Sequence, residues 1–167
     1  MTHSIAGQAR CLILACGNTL REDDGVGPWL AAWVEGRFAG EPRARVLTRQ
    51  QWTPELAQDV AEAESVVFVD CATNLAAGEV RLATVATTNA SGSALATHHL
   101  GAAELLALSE ELYSATPRSS LLLTVGAGSL ELREGFSEAV KAALPEACAQ
   151  LEKAVLDILA DSSPQRA

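Results

Sequence analysis

The stretch Cys11-Leu-Ile-Leu-Ala-Cys-Gly-Asn-Thr-Leu-Arg-Glu-Asp-Asp-Gly-Val-Gly-Pro-Trp-Leu30 decides the fold. Its first six residues, Cys11 to Cys16, carry no charge and read as a strand buried on both faces. Gly17 ends that strand. Asn18-Thr19-Leu20 follows, then three acids, Glu22, Asp23 and Asp24, and then Gly25-Val26-Gly27-Pro28, the punctuation that opens an amphipathic helix. A strand that stops at a glycine and hands over to a helix places the loop between them at the carboxyl edge of a sheet, where open α/β folds bind ligands. Phosphate fits that loop poorly. Three carboxylates would repel it, and the loop has neither the Lys of a P-loop nor the G-x-G-x-x-G of a dinucleotide site.

Outward from this loop, helices and strands alternate. The first helix is expected from Asp23 or Asp24 to Gly36, with Val26, Trp29, Leu30, Trp33 and Val34 turned to the sheet. Arg43 to Arg49 reads as a polar strand near a sheet edge, and Thr53-Pro54-Glu55 opens a second helix over Pro54 to Ala63. Ser65-Val-Val-Phe-Val-Asp70 is the clearest central strand, four apolar residues ending in a carboxylate. Glu79 to Ala86 alternates polar and apolar residues, as a half-exposed and antiparallel edge strand would. Thr87 to Ala96 reads as a mobile loop, Ala102 to Tyr113 as a leucine-rich helix and Leu121 to Val125 as a buried strand. A long helix spans Ser137 to Leu159, with Pro145 expected to kink or divide it. The pattern predicts a single α/β domain over residues 1–167, a three-layer α/β/α sandwich with a mostly parallel sheet, and flexible tails at 1–9 and 162–167.

Length and charge narrow the function. A chain of 167 residues with 49% hydrophobic residues can bury a normal core without disulfides or structural metal. Its net charge of -9, with 12 basic residues scattered among 21 acidic ones, argues against a nucleic-acid surface. No apolar run is long enough to span a membrane. The cysteines, Cys11, Cys16, Cys71 and Cys148, lack C-x-x-C spacing and read as small apolar residues, and no signal peptide is visible, so a reducing cytoplasm is expected.

Three polar groups converge on the carboxyl edge: Asp24 or a neighbouring acid after the first strand, Asp70 at the end of the third, and one of His98 and His99 before a helix. Two carboxylates and an imidazole suit a divalent transition metal with positions left open for a substrate. Each has a plainer explanation. Asp23 or Asp24 could cap the helix, Asp70 could cap a turn, and the histidines could be surface residues. Asp70, following four buried residues, is the hardest to explain that way, because a desolvated carboxylate needs a compensating partner. A thiol nucleophile at Cys71 is disfavoured, since strand alternation turns it away from Asp70, and no G-x-S-x-G is present.

Gly17-Asn18-Thr19-Leu20-Arg21-Glu22-Asp23-Asp24-Gly25-Val26-Gly27 resembles the G-N-x-L-x-x-D-[DE]-G-x-G signature of the nickel-iron hydrogenase maturation endopeptidases. Val66 to Asp70 is similar to that family's apolar strand ending in Asp, and Thr97-His98-His99-Leu100-Gly101 resembles its histidine segment before a leucine-rich helix. The resemblance implies a sheet of about five strands flanked by helices. It also implies a peptidase that removes the C-terminal extension of a hydrogenase large-subunit precursor after nickel insertion, reading the substrate's nickel as its signal and holding no resident organic cofactor. The family's metal-contacting and catalytic positions fall on Asp24, Asp70 and His98, while Asn18, Asp23, Gln50 and His99 beside them are expected to touch the substrate. One departure is visible. Where many members carry an Asp after the second strand, this chain has Thr48-Arg49-Gln50-Gln51-Trp52, which implies altered substrate contacts. The alternative from another class is a non-catalytic assembly chaperone for the nickel-loaded subunit. A third reading, a small-ligand Rossmann-like domain, sits badly with the acidic loop.

Overall fold

The computed structural model describes residues 9–87 and 100–161. The expected tails but for Ala9, the loop over Thr87 to Ala96 beyond its first residue, and both His98 and His99 therefore lie outside the described residues. In chain order the elements are β1 (Cys11–Cys16), a 3-10 turn (Glu22–Gly25), α1 (Val26–Arg37), β2 (Ala44–Arg49), α2 (Leu56–Glu62), β3 (Ser65–Ala72), β4 (Val80–Thr84), α3 (Ala102–Tyr113), β5 (Ser119–Gly126) and α4 (Glu138–Ala160).

The five strands form one sheet in the order β2-β1-β3-β5-β4. Every pairing is parallel except β4 with β5, which is antiparallel at the edge as its alternating sequence predicts. Two apolar layers cover the sheet. Cys11, Ile13 and Ala15 of β1 and Val67 and Val69 of β3 pack with α1 and α4, while Leu12, Leu14, Cys16, Val66 and Phe68 pack with α2 and α3. That period-2 division of uncharged runs is why both central strands read as continuously hydrophobic. The chain leaves β1 in one direction, toward β2, and returns past it to β3. The loops after β1 and β3 thus diverge, opening a crevice at the point where strand order reverses.

Local details depart from the sequence pattern for physical reasons. The acids Glu22 to Asp24 form the 3-10 turn, so α1 begins only at Val26. Its buried stripe is Val26, Gly27, Leu30, Ala31 and Val34. Trp29, one step off that stripe, is 38% exposed and meets Phe136 edge-on, with ring centroids 6.3 Å apart. Strand β3 runs two residues past Asp70, because β5 keeps pairing through Ala72 with Gly126 after the ladder to β1 has ended at Ala15 and Val69. Helix α4 passes through Pro145 unbroken. The proline lies on its exposed side, where the carbonyl left without a donor can turn to water.

Candidate functional site

The loop from Gly17 to Gly27 is shaped by close backbone contacts. Gly17 has φ +148°, and a Cβ there would overlap the carbonyl oxygen of Asp24. A Cβ at Gly27 would overlap the carbonyl oxygen of Cys16, so only glycine lets the start of α1 lie against the end of β1. Between them the chain folds on itself. The Asn18 amide donates to Asp24 Oδ2 at 2.8 Å, and Asn18 Oδ1 accepts from the Leu20 amide at 2.9 Å. Asp24 is thereby turned back over the end of β1, partly exposed at the carboxyl edge.

Asp23 has the opposite fate. It is 0% exposed and accepts from the amides of Gly128 (2.7 Å), Ser129 (2.9 Å) and Ser137 (2.7 Å), and from the Ser137 hydroxyl (2.7 Å). Ser137 is the N-cap of α4, so the carboxylate also meets the positive end of that helix. Burial alone would raise its pKa, but the hydrogen bonds from Ser137, Ser129 and Gly128 outweigh it and hold the carboxyl below the usual range. The expectation that Asp23 touches substrate is corrected by this geometry: its oxygens are committed to the β5–α4 loop. Glu22, 1% exposed with φ 46°, is tied to the same loop. Its amide donates to the Arg133 carbonyl at 2.8 Å, and its carboxylate pairs with the Arg133 guanidinium, which holds it below the usual range.

Asp70 projects on the α2/α3 side of β3, where the ladder to β1 has just ended. Its Oδ1 accepts from the Cys71 amide at 2.8 Å and from the Cys16 thiol at 3.2 Å. Cys16 is 7% exposed; burial first, then the charges of Asp70 and Asp24, push its thiol far up. Burial likewise pushes the Cys71 thiol up to about 12, reinforced by Asp24, Asp70 and Asp23. Two conclusions follow. Neither cysteine is poised to ionise as a nucleophile. And Asp24 and Asp70, far apart in sequence, both lie near enough to Cys16 and Cys71 for their charges to act on the two thiols, one after the end of β1 and the other near the end of β3. The four cysteines are free thiols.

The remaining sequence candidates divide. Asn18 is partly buried beside Asp24, and Gln50 is exposed just after β2. Trp52, expected among the altered substrate contacts, is 6% exposed and packs edge-on against Phe68 with centroids 5.3 Å apart, so it belongs to the core under α2 and α3. His98 and His99 lie outside the described residues; Leu100, two positions after His98, packs with the cluster that contains Cys16. Among the described residues no group of three or more His, Cys, Asp and Glu side chains is arranged to hold a metal ion. Asp24 and Asp70 supply the hard oxygen donors such an ion accepts. Sequence reasoning missed Cys16, whose thiol reads as apolar, and the partners Arg133 and Ser137, for which a serine ahead of a helix was the one available signal.

No family model matches the chain, and no curated protein matches it significantly. Solved structures do. The hydrogenase maturating endopeptidase HybD from E. coli superposes with a TM-score of 0.75 at 24% identity, covering 89% of this chain and 93% of that one. Two Thermococcus kodakarensis proteins are 25% identical: the [NiFe] hydrogenase maturation protease HycI, with a TM-score of 0.65 over 93% of this chain and 95% of that one, and HybD, with 0.64 over 87% and 98%. Fold and loop motif thus converge: the chain has the fold of the hydrogenase maturation endopeptidases, the family that its Gly17-to-Gly27 loop resembles.

Proposed function

We propose that this chain is a hydrogenase maturation endopeptidase that removes the C-terminal extension of a nickel-iron hydrogenase large-subunit precursor once nickel has been inserted. What supports the reading is that Asp24, held by the Asn18 amide after β1, and Asp70, bonded to the Cys16 thiol at the end of the β1–β3 ladder, both belong to the carboxyl edge of the sheet, and that the loop carrying Asp24 resembles the family motif. The fold shared with proteins named as maturation proteases supports it.

In this reading Asp24, Asp70 and His98 approach the nickel carried by the precursor, and the nickel is part of the substrate. Its grip brings the scissile peptide to the crevice, where a water attacks a polarised carbonyl. Selectivity for loaded precursor follows from charge. Two carboxylates facing one crevice repel each other until a cation stands between them, so a precursor without its metal gains no such stabilisation. Asn18, beside Asp24, and Gln50, exposed after β2, are contacts for the polypeptide in this reading. The compartment is the cytoplasm, where four free thiols remain reduced, and no described helix is long and apolar enough to cross a membrane.

The test is to mix purified protein with nickel-loaded and nickel-free precursor and weigh the large subunit by mass spectrometry. Shortening of the loaded form alone is expected. A stable complex with no shortening would make the chain an assembly chaperone instead. Replacing His98 by Ala is expected to stop processing, and replacing His99 by Ala to slow it less.

A further inference from the structure

We propose that Cys16 is a positioning residue, whose thiol hydrogen bond fixes the Asp70 carboxylate in the orientation that processing requires. The inference rests on the endopeptidase reading above and adds a residue to it. Two donors converge on a single oxygen, Asp70 Oδ1: the Cys71 amide at 2.8 Å and the Cys16 thiol at 3.2 Å. The first comes from the next residue of the same strand and restrains the carboxylate only locally. The second comes from β1, 54 positions away in the chain.

The place of this contact in the sheet gives it consequence. The β1–β3 ladder stops at Ala15 and Val69, so no further backbone pair locks the two strand ends together. Beyond that point β1 stays paired only to β2, through Cys16 and Arg49, and β3 only to β5, through Asp70 and Thr124. The Cys16–Asp70 bond bridges the gap. It ties the candidate ligand to the strand that feeds the motif loop, and Gly27 packs against the carbonyl of the same Cys16. One residue therefore joins Asp70, the end of β1 and the start of α1. Side chains that hold metal-contacting groups in this way set the ligands' orientation, and their loss costs roughly tenfold or more in activity.

A packing role and a positioning role predict opposite orders among substitutions. If Cys16 only fills space between β1, Trp52 and Phe68, Cys16→Val should serve best and Cys16→Ser worst, since serine brings a polar group into an apolar layer. If it positions Asp70, Cys16→Ser keeps a donor and should process nickel-loaded precursor within about threefold of wild type, while Cys16→Val and Cys16→Ala, without one, fall about tenfold in kcat at little change in KM. Melting temperatures recorded alongside separate these losses from unfolding, and Cys16→Ala serves if the valine variant does not fold. Asp70→Asn is run in parallel. Valine or alanine at wild-type rate beside an inactive Asp70→Asn would overturn the positioning role and leave the endopeptidase reading standing. Serine no better than valine would overturn it too. Asp70→Asn at wild-type rate would remove both.

Discussion

Asp23 and Asp24 are adjacent in the chain and opposite in circumstance. The first is sealed under the β5–α4 loop with four hydrogen bonds to Gly128, Ser129 and Ser137; the second stands partly exposed with the Asn18 amide on one oxygen. Chemically they are the same group. What separates them is a 3-10 turn, which spaces successive residues about a third of a revolution apart and so sends neighbours in different directions. A run of acids can thus hold a structural anchor and a partly exposed carboxylate side by side. Asp23 fixes the loop against the body of the protein, and that fixation lets Asp24 be aimed.

The contrast makes a double dissociation, from which the largest effect is expected at Asp24. Asp24→Asn should lower processing of nickel-loaded precursor by roughly a thousandfold, about 4 kcal/mol of barrier, with the melting temperature nearly unchanged. Asp23→Ala should do the reverse first. Stripping the carboxylate from four buried donors is expected to cost about 3 kcal/mol of stability, read from urea denaturation, and to impair activity only through the loosened loop. If both substitutions acted alike, the division of labour would be wrong. Gly27→Ala should cost about 2 kcal/mol by the same assay, because its methyl group collides with the Cys16 carbonyl and neither strand nor helix can easily give way.

A gentler test uses acid. The folded pKa of Asp23 is below the ordinary aspartate value, so its contribution to stability is present above about pH 4 and is lost as pH falls through the folded value. Wild-type stability should therefore decline more steeply below about pH 4 than that of Asp23→Asn, whose amide does not titrate. Glu22, held low by Arg133, changes in the same sense in both proteins and leaves the difference intact. Parallel acid limbs for the two proteins would show that Asp23 is not the titrating anchor described here.

The central fold was legible because it depends on short-range patterns. Uncharged runs at Cys11 to Cys16 and Val66 to Val69 cannot be anything but buried, and the alternation at Val80 to Thr84 gave away an edge. Asp70 stood out for the same reason, as a carboxylate set against apolar neighbours. The split between Asp23 and Asp24 was not legible: it is settled by Ser137 and Gly128, more than a hundred residues on, and by a turn type that three acids in a row do not specify. Trp29 lies at the margin of the α1 stripe: Val26, Leu30 and Val34 face the sheet as the helical period requires, but the stripe widens toward the small Gly27 and Ala31, and the large ring is left to meet Phe136. Trp52 stands in a short, largely polar segment after β2 where nothing local marks its ring as buried, and it turns inward onto Phe68. Cys16 escaped notice since a buried thiol looks apolar until its acceptor is seen.

The most direct test of the account is the intact mass of the large subunit after incubation of nickel-loaded precursor with wild-type protein, Asp24→Asn or Asp70→Asn, all confirmed folded by their melting temperatures. The wild type should yield the shortened chain, and both variants should leave the precursor at full length. Shortening by either variant at the wild-type rate would contradict the claim that these two carboxylates, brought together at the β1/β3 edge, do the work.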